Sequence, residues 1–383
     1  MLLMEPGPTQ VDERVIQSLC TPVVYHQSPE FTRTMDDLRP LLRGIYGTEG
    51  EVVILPASGR GAVEAVLASV REEGRPFVVP TNGTFGRMMA TIGRAVGLSV
   101  VELKHGSGAV VPREEIAEAL AGLDRPILGI VHNETATGMV NDLTGLADLV
   151  HARDGLLLVD AVSSLGGAEL AADRNGIDFC VSAAQKSMGA IAGLSFVAVG
   201  DRALRELDAR TDLARGSYLD LRRWWDMWVA AEDGGRLTSG YRRLPWTMPT
   251  HLAGALLRAC ELAHEEGLKE RWDRHRRCGE ALRAALHALG MPVLAPDGHA
   301  SDTVTAFGHP GLDAKDLKRR LADRHGVRLA TGMDDDAATI LRIAHMAETA
   351  RPGPLVQTLA ALAAELGANV DATRIFLDTW SAS

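Results

Sequence analysis

Residues 155–199 read GLLLVDAVSSLGGAELAADRNGIDFCVSAAQKSMGAIAGLSFVAV. Three aliphatic runs, Gly155–Asp160, Phe179–Ser182 and Leu194–Val199, are separated by stretches rich in glycine, serine and other turn residues. Runs this short and this apolar predict strands buried on both faces, the habit of parallel sheets. Two charged residues stand out against them. Asp160 ends the first run, and Lys186 lies between the second and third, among small residues (Ala183, Ala184, Ser187, Gly189, Ala190).

The same texture extends upstream. Val52–Leu55, Pro76–Val79, Leu98–Leu103 and Ile127–His132 read as further buried parallel strands. Amphipathic helical stretches lie among them: Gly61–Glu73, Phe85–Val96, Arg113–Leu120 and Thr144–Arg153. Such alternation predicts an α/β fold with a mostly parallel sheet and helices on both faces. From about residue 250 the pattern changes. Helices are expected over Leu252–Glu265 and Glu270–Leu289, then strands over Pro292–Leu294 and Thr303–Phe307. A helix over Ala314–Arg324, strands over Val327–Ala330 and Ile340–Ile343, and a final helix over Gly353–Leu366 complete a smaller α+β domain. The expected division is 1–15 as a segment crossing the surface, 16–250 as the large domain and 251–383 as the small one.

Composition sets outer limits. The chain has 383 residues, 46% apolar and 23% charged, which suits a globular protein of two domains. Only 4% are aromatic, so the core must be aliphatic and alanine-rich. A net charge of −10 with both signs interspersed offers no footprint for nucleic acid or anionic lipid. No apolar run approaches the roughly 20 residues that span a bilayer. The start, MLLMEPGPTQ, lacks the basic and apolar regions of a signal peptide. Cys20, Cys180, Cys260 and Cys278 are far apart with no CxxC, as expected of reduced thiols in a cytoplasmic protein. The twelve histidines form no HExxH or other tight metal-ligand cluster, and no metal is expected.

Ligands of open α/β sheets bind beyond the carboxyl ends of the strands. Asp160 lies there, and a buried carboxylate is costly unless something pairs with it. It reads either as the partner of a cation, such as a protonated pyridine nitrogen, or as a turn or cap aspartate. Lys186 reads either as a desolvated nucleophilic amine able to form a Schiff base or as a lysine that snorkels from a strand end. Ser58-Gly59-Arg60-Gly61 follows a strand and opens a helix, so its free backbone N–H groups, a hydroxyl and a guanidinium can cradle a phosphate. It is neither a Walker loop nor a complete GxGxxG, and alone it is weak.

Together these features are specific. Asp160 precedes Lys186 by 26 residues and the small-residue cup lies about 100 residues upstream. With MEPGPT, VVYHQSPEF, ASGRGAVEA, NGTFG, HNETATG, LLLVDAVSSLGG, GIDFCVSAAQKSMGA and ILRIAHM in order from residue 4 to 346, the chain resembles the fold-type I pyridoxal-phosphate enzymes of the class V aminotransferase group, near the alanine–glyoxylate and serine–pyruvate transaminases. The resemblance covers nearly the whole chain. It implies a three-layer fold, pyridoxal 5'-phosphate as cofactor and a homodimer with shared active sites. It makes Lys186 the Schiff-base lysine and proton shuttle. It makes Asp160 the partner of the ring nitrogen, so that the ring serves as an electron sink. Ser58, Gly59, Arg60 and Gln185 would surround the phosphate. Phe85 would stack on the ring, Val162 would cover its other face, and Thr135 would bond near the ring hydroxyl. Thr247 would reach the phosphate of the neighbouring subunit. Arg342 would bind the substrate carboxylate by a bidentate fork, with the backbone around Gly7 lining the substrate side.

Each residue has a plainer reading. Phe85 and Val162 could be core, and Thr135 a turn residue; Arg342 is harder to place in a core, because a buried guanidinium needs an anion. The chain also departs from the pattern. Leu244 stands where the family commonly has tyrosine, and Tyr241 lies further back. RIAHM replaces the frequent RIG and is reminiscent of the pyridoxamine–pyruvate branch. Three aspartates, Asp334–Asp336, precede the Arg342 strand and read as a solvated loop. Trp224, Trp225 and Trp228 read as interface or core packing.

The leading expectation is a ping-pong transaminase that takes the amino group of a small amino acid and passes it to a 2-oxo acid, glyoxylate or pyruvate. A lyase, decarboxylase or epimerase on the same fold is the alternative, as is a pyridoxamine–pyruvate transaminase. A desulfurase would need a mobile cysteine in the C-terminal third, and no cysteine follows Cys278, so sulfur transfer is not expected. A non-catalytic binding protein would have no reason to keep Lys186, Asp160 and Arg342 together.

Overall fold

The computed structural model describes residues 1–210, 217–229 and 243–382. In chain order its first part contains β1 (Leu2–Leu3), α1 (Glu13–Gln17), α2 (Pro29–Tyr46), β2 (Glu51–Leu55), α3 (Gly59–Ser69), β3 (Pro76–Thr81), α4 (Thr84–Ala95), β4 (Ser99–Lys104) and α5 (Arg113–Leu120). There follow β5 (Ile127–Val131), β6 (Asn133–Glu134), β7 (Met139–Val140), α6 (Leu146–His151), β8 (Leu156–Asp160), β9 (Phe179–Ala183), β10 (Ser195–Val199), α7 (Asp201–Asp208) and α8 (Leu221–Trp224). The last part holds α9 (Thr250–Glu266), α10 (Leu268–Ala288), β11 (Val304–Gly308), α11 (Ala314–His325), β12 (Val327–Arg328), β13 (Ala330–Thr331), β14 (Ile340–Ala344), α12 (Pro352–Leu366) and α13 (Ala372–Ala382).

All seven expected strands of the first part join one sheet, ordered β2-β10-β9-β8-β5-β3-β4. The pairs β3–β4, β3–β5, β5–β8 and β8–β9 are parallel. The sheet is mostly parallel, as expected; the exception is Leu194–Val199, read as a parallel strand, whose β10 runs antiparallel to both β9 and β2. No crossover helix separates β9 from β10, and without one the chain returns in the opposite direction. Every residue of β5, β8, β9 and β10 is buried. Since alternate side chains point to opposite faces, both faces of the sheet centre are covered. Edge strand β4 is the exception, with Ser99 and Lys104 exposed.

Helix limits follow local chemistry. Helix α2 starts where the Ser28 hydroxyl accepts the Phe31 N–H, with Pro29 at its first position. It ends at Gly47 in the left-handed region (φ 67°). Helix α3 begins two residues earlier than expected and stops at Ser69. The polar Arg71–Glu73 run is not a last helical turn. It enters a turn through Gly74 (φ 74°), where the Arg75 N–H bonds the Glu72 carbonyl at 3.2 Å.

The apolar interior of the described residues has two large clusters and a small third one of Val304, Ala344 and Met346. One large cluster runs from Val15 to Ala263 around the large sheet; the other holds Met4 and residues between Cys278 and Phe376. The N-terminal segment does not merely cross the surface. Strand β1 pairs in parallel with β12, and Met4 is wholly buried in the second cluster. There β11, β14 and β13 form an antiparallel sheet. The expected strand over Pro292–Leu294 is only a single bridge from Val293 to Phe307. Pro292 has no N–H to donate, so the segment cannot extend its pairing with β11. The expected strand over Val327–Ala330 splits, β12 pairing with β1 and β13 with β14. Helix α12 is not the last: Gly367 caps it in the left-handed region (φ 62°) and α13 follows, with Phe376 fully buried.

Trp224, Trp225 and Trp228 are buried in the first cluster. Cys180, Cys260 and Cys278 are buried, Cys20 is exposed, and all four are free. Among the described residues no helix is long and apolar enough to cross a membrane.

Candidate active site

A cavity of about 260 Å³ opens beyond the carboxyl ends of β8 and β9, and it gathers most of the expected residues. Gly7, Ser58, Gly59, Arg60, Phe85, Thr135, Asp160, Val162, Gln185 and Lys186 all line it. A larger cleft of about 460 Å³, lined by His132, Asn141, Asp142, Glu169, Arg174 and His299 among others, lies elsewhere. It contains no lysine and no strand-end carboxylate facing one, so volume alone does not mark the site.

Lys186 is buried three residues past the end of β9. Its Nζ donates to the Pro6 carbonyl and lies 5.9 Å from the centre of the Phe85 ring. Burial and the Arg342 charge push its amine down to about 8, opposed by Asp160 and Glu134. Asp160 closes β8. Its Oδ1 accepts the Val162 N–H at 2.9 Å, and no described side chain donates to either carboxylate oxygen. Burial raises its carboxyl to about 6, against the Val162 N–H and the Lys186 charge. It is therefore a carboxylate that lacks a cationic hydrogen-bond partner and lines a cavity.

The Ser58–Gly61 turn opens α3 at the cavity wall. Ser58 caps α3 and accepts the Gly61 N–H at 3.4 Å, leaving the Gly59 and Arg60 N–H groups at the helix start. A Cβ at Gly59 would stand 2.7 Å from Val162 Cγ2, so only glycine lets this turn approach Val162. Gly7 plays the corresponding part on the other side. Its φ is 124°, and a Cβ there would lie 2.7 Å from Lys186 Cε and 2.9 Å from Cδ. The Thr9 N–H bonds the Gln185 carbonyl at 3.1 Å and holds this segment beside Lys186.

These features fit pyridoxal phosphate. Asp160 lacks a cationic partner, which a protonated ring nitrogen supplies. A glycine-shaped cup at a helix N-terminus suits a phosphate. The Lys186 amine has a basicity matched to carbonyl chemistry.

Two expected residues lie off the cavity wall. Thr247 is exposed, and Tyr241 lies outside the described residues. Arg342 is buried on β14, and its guanidinium donates to the carbonyls of Thr331 (2.9 Å) and Thr135 (3.1 Å). Backbone oxygens thus meet its N–H groups where an anion was expected, while the Glu134 and Glu5 charges favour its charged form against burial. The Thr135 hydroxyl shares a 2.5 Å hydrogen bond with Ser163.

His345 of RIAHM is fully buried, with Nε2 2.9 Å from the Thr305 hydroxyl and Nδ1 2.8 Å from the Asp302 carbonyl. Both ring nitrogens are used in packing. The aspartate loop is not merely solvated: Asp334 accepts from Thr84 and Arg87, both at 2.5 Å, and Asp336 from Ser107 at 2.7 Å.

Met88, Val131, Asn133 and Ser163 also line the cavity, without having been singled out in the sequence. Met88 is one helical turn from Phe85, and Ser163 follows Val162, so spacing from a named residue was the available signal.

The family model described as "Aminotransferase class-V" matches residues 2–355. The chain is 34% identical over 372 residues to the "Soluble hydrogenase, small subunit" of a Synechococcus species, covering 96% of this chain and 94% of that one. It is 31% identical over 380 residues to the (S)-ureidoglycine–glyoxylate transaminase of Bacillus subtilis, covering 95% and 90%. The solved structure of pyridoxamine–pyruvate aminotransferase from Mesorhizobium loti superposes with a TM-score of 0.90 at 25% identity, covering 100% and 97%. The chain belongs to the class-V aminotransferases, pyridoxal-phosphate-dependent enzymes of fold type I.

Proposed function

We propose that the protein transfers the amino group of a small amino acid to a 2-oxo acid, glyoxylate or pyruvate, by a ping-pong mechanism in a cytoplasmic homodimer. The observation that carries this reading is the meeting of Lys186, Asp160 and Phe85 on one cavity at the carboxyl ends of β8 and β9. The transaminase names of relatives that match over nearly the whole chain support the glyoxylate acceptor. The reading keeps residues 1–15, 16–250 and 251–383 as crossover segment, large domain and small domain.

When bound, pyridoxal phosphate supplies an electron sink for the carbon that loses its proton. The residues here do the rest. Lys186 would hold the cofactor through its Nζ. Its Nζ, once free, would take up the proton that leaves the amine-bearing carbon of the substrate and give it back as the amino group passes to the cofactor. An amine titrating near 8 both accepts and returns a proton near neutral pH. Asp160 holds the proton on the ring nitrogen. Phe85 and Val162 bracket the ring, and Thr135 bonds near its hydroxyl. Ser58, Gly59, Arg60 and Gln185 grip the phosphate, with Thr247 reaching it from the neighbouring subunit. Arg342 takes the substrate carboxylate beside the Gly7 backbone. This gives an anionic substrate a positive site within an acidic protein.

The test is a half-reaction. The holoenzyme is given one small amino acid at a time, with pyridoxamine included, and no acceptor. A transaminase turns over once, loses its visible band and recovers it on addition of glyoxylate or pyruvate. Repeated turnover without an acceptor would instead establish a lyase or decarboxylase.

A further inference from the structure

Glu134 lies beside the cavity on β6, between the lining residues Asn133 and Thr135, and is fully buried. Its Oε2 accepts the N–H of Phe85 at 2.9 Å and of Gly86 at 3.3 Å, and its Oε1 accepts the N–H of Ala136 at 3.0 Å. No described basic side chain forms an ion pair with it. A buried carboxylate in that state is tolerated only where N–H groups and a helix N-terminus face it.

Both conditions are met at α4. The residue before that helix, Gly83, has no side chain to cap it, so a carboxylate from another part of the chain does so. The backbone is shaped to admit that carboxylate. A Cβ at Gly83 would stand 2.2 Å from Glu134 Cγ and 2.3 Å from Cδ. The N–H that Glu134 holds most closely is that of Phe85, the residue whose ring faces Lys186. The next carbonyl along, that of Thr135, takes an N–H of Arg342. One dipeptide therefore braces both the ring-stacking residue and the carboxylate-binding one.

The charged groups around Lys186 are Asp160 at the end of β8, Glu134 on β6, Arg342 on β14 and Arg60 at the start of α3. Asp160 and Glu134 favour its protonated form, while burial and Arg342 oppose it. We propose that Glu134 is a positioning residue for amino transfer: its carboxylate fixes the first turn of α4, and with it Phe85, against Lys186, and its negative charge offsets Arg342 at the Lys186 nitrogen. The inference rests on the reading of Lys186 and Phe85 given above.

Two variants separate geometry from charge. Glu134→Gln keeps the shape and loses the charge; Glu134→Asp keeps the charge and draws it back by one methylene. The visible absorbance of each holoenzyme is titrated with pH, which follows protonation of the cofactor-linked Lys186 nitrogen. This needs no substrate, so a failed donor screen leaves it intact. Glu134→Gln is expected to lower the midpoint by about half a unit, a roughly threefold change in the proton affinity of that nitrogen, and Glu134→Asp to leave it in place. Both are expected to lower kcat about tenfold with KM changed less: Glu134→Asp because its carboxylate falls short of the Phe85 N–H, and Glu134→Gln because the charge beside Lys186 is gone and its amide N–H2 faces a backbone N–H that the carboxylate accepted. A purely structural Glu134 would lower the melting temperature of both variants and move neither midpoint, and that result overturns the proposal. Should Glu134→Gln fail to fold, Glu134→Asp decides. A kcat within twofold of the parent overturns the proposal, and a tenfold loss with an unmoved midpoint supports it.

Discussion

The Arg87 guanidinium lies 2.5 Å from the Asp334 carboxylate, and this ion pair ties the loop before β14 to the first turn of α4. Thr84, which starts that helix, donates to the same carboxylate. The strand that carries Arg342 is thereby fastened to the helix that carries Phe85. Both partners are half exposed, so the pair contributes about 0–1 kcal/mol and weakens with salt. Asp334→Asn is expected to raise the KM for the amino acid about two- to fivefold and to leave kcat nearly unchanged. The parent should also lose apparent affinity as salt rises, and the variant should lose less. Steady-state kinetics at low and high ionic strength check both.

Gly7 is the narrowest constraint on the lysine. Gly7→Ala places a methyl group within 3 Å of two Lys186 carbons on a backbone conformation that L residues avoid. Either the N-terminal segment or the lysine must shift. The expected result is a loss of kcat/KM of at least about tenfold and a destabilisation on the order of 1–3 kcal/mol. Denaturant unfolding and kinetics on the same preparation measure the two effects.

Asp160 predicts a pH dependence with a definite sign. In the cofactor-free protein its carboxyl is raised from 3.8 to about 6, so the folded chain binds this proton more tightly than the unfolded one. The stability that Asp160 contributes is present below about pH 4 and is lost as pH rises through about 6. The amount is on the order of 2–3 kcal/mol. Asp160→Asn should remove that loss, so variant and parent unfolding curves should diverge between about pH 4 and pH 6. In the holoenzyme the same substitution should cut kcat by about 10²- to 10⁴-fold, since Asn cannot hold a proton on the ring nitrogen as a carboxylate does.

The sheet was legible in the sequence because buried parallel strands are short aliphatic runs, and all seven were visible as such. The direction of β10 was not, since an apolar run carries no sign of direction. What distinguishes it is a connection from β9 too short for a crossover helix. The split at Val327–Thr331 was hidden for a related reason. Its first half pairs with Leu2–Leu3, more than 300 residues away, and local pattern says nothing of so distant a partner.

At the site, Lys186 and Asp160 stood out because they are charged residues in apolar or small-residue surroundings. Glu134 did not, although it is as deeply buried. It sits in HNETATG among polar neighbours, where a carboxylate looks like a turn residue. Its burial follows from α4, whose N-terminus it caps across a long chain separation. Arg342 was singled out on the premise that a buried guanidinium needs an anion. The carbonyls of Thr331 and Thr135 meet part of that need.

Whether Lys186 is the amine that holds the cofactor can be read by covalent trapping. The direct measurement is to load the protein with pyridoxal phosphate, reduce it with borohydride, digest it and find the labelled peptide by mass. One stable adduct per chain is expected, on Lys186 in the VSAAQKSMGA stretch, and it should disappear in Lys186→Ala. A stoichiometric adduct on another lysine, or one that persists in Lys186→Ala, would contradict that role for Lys186.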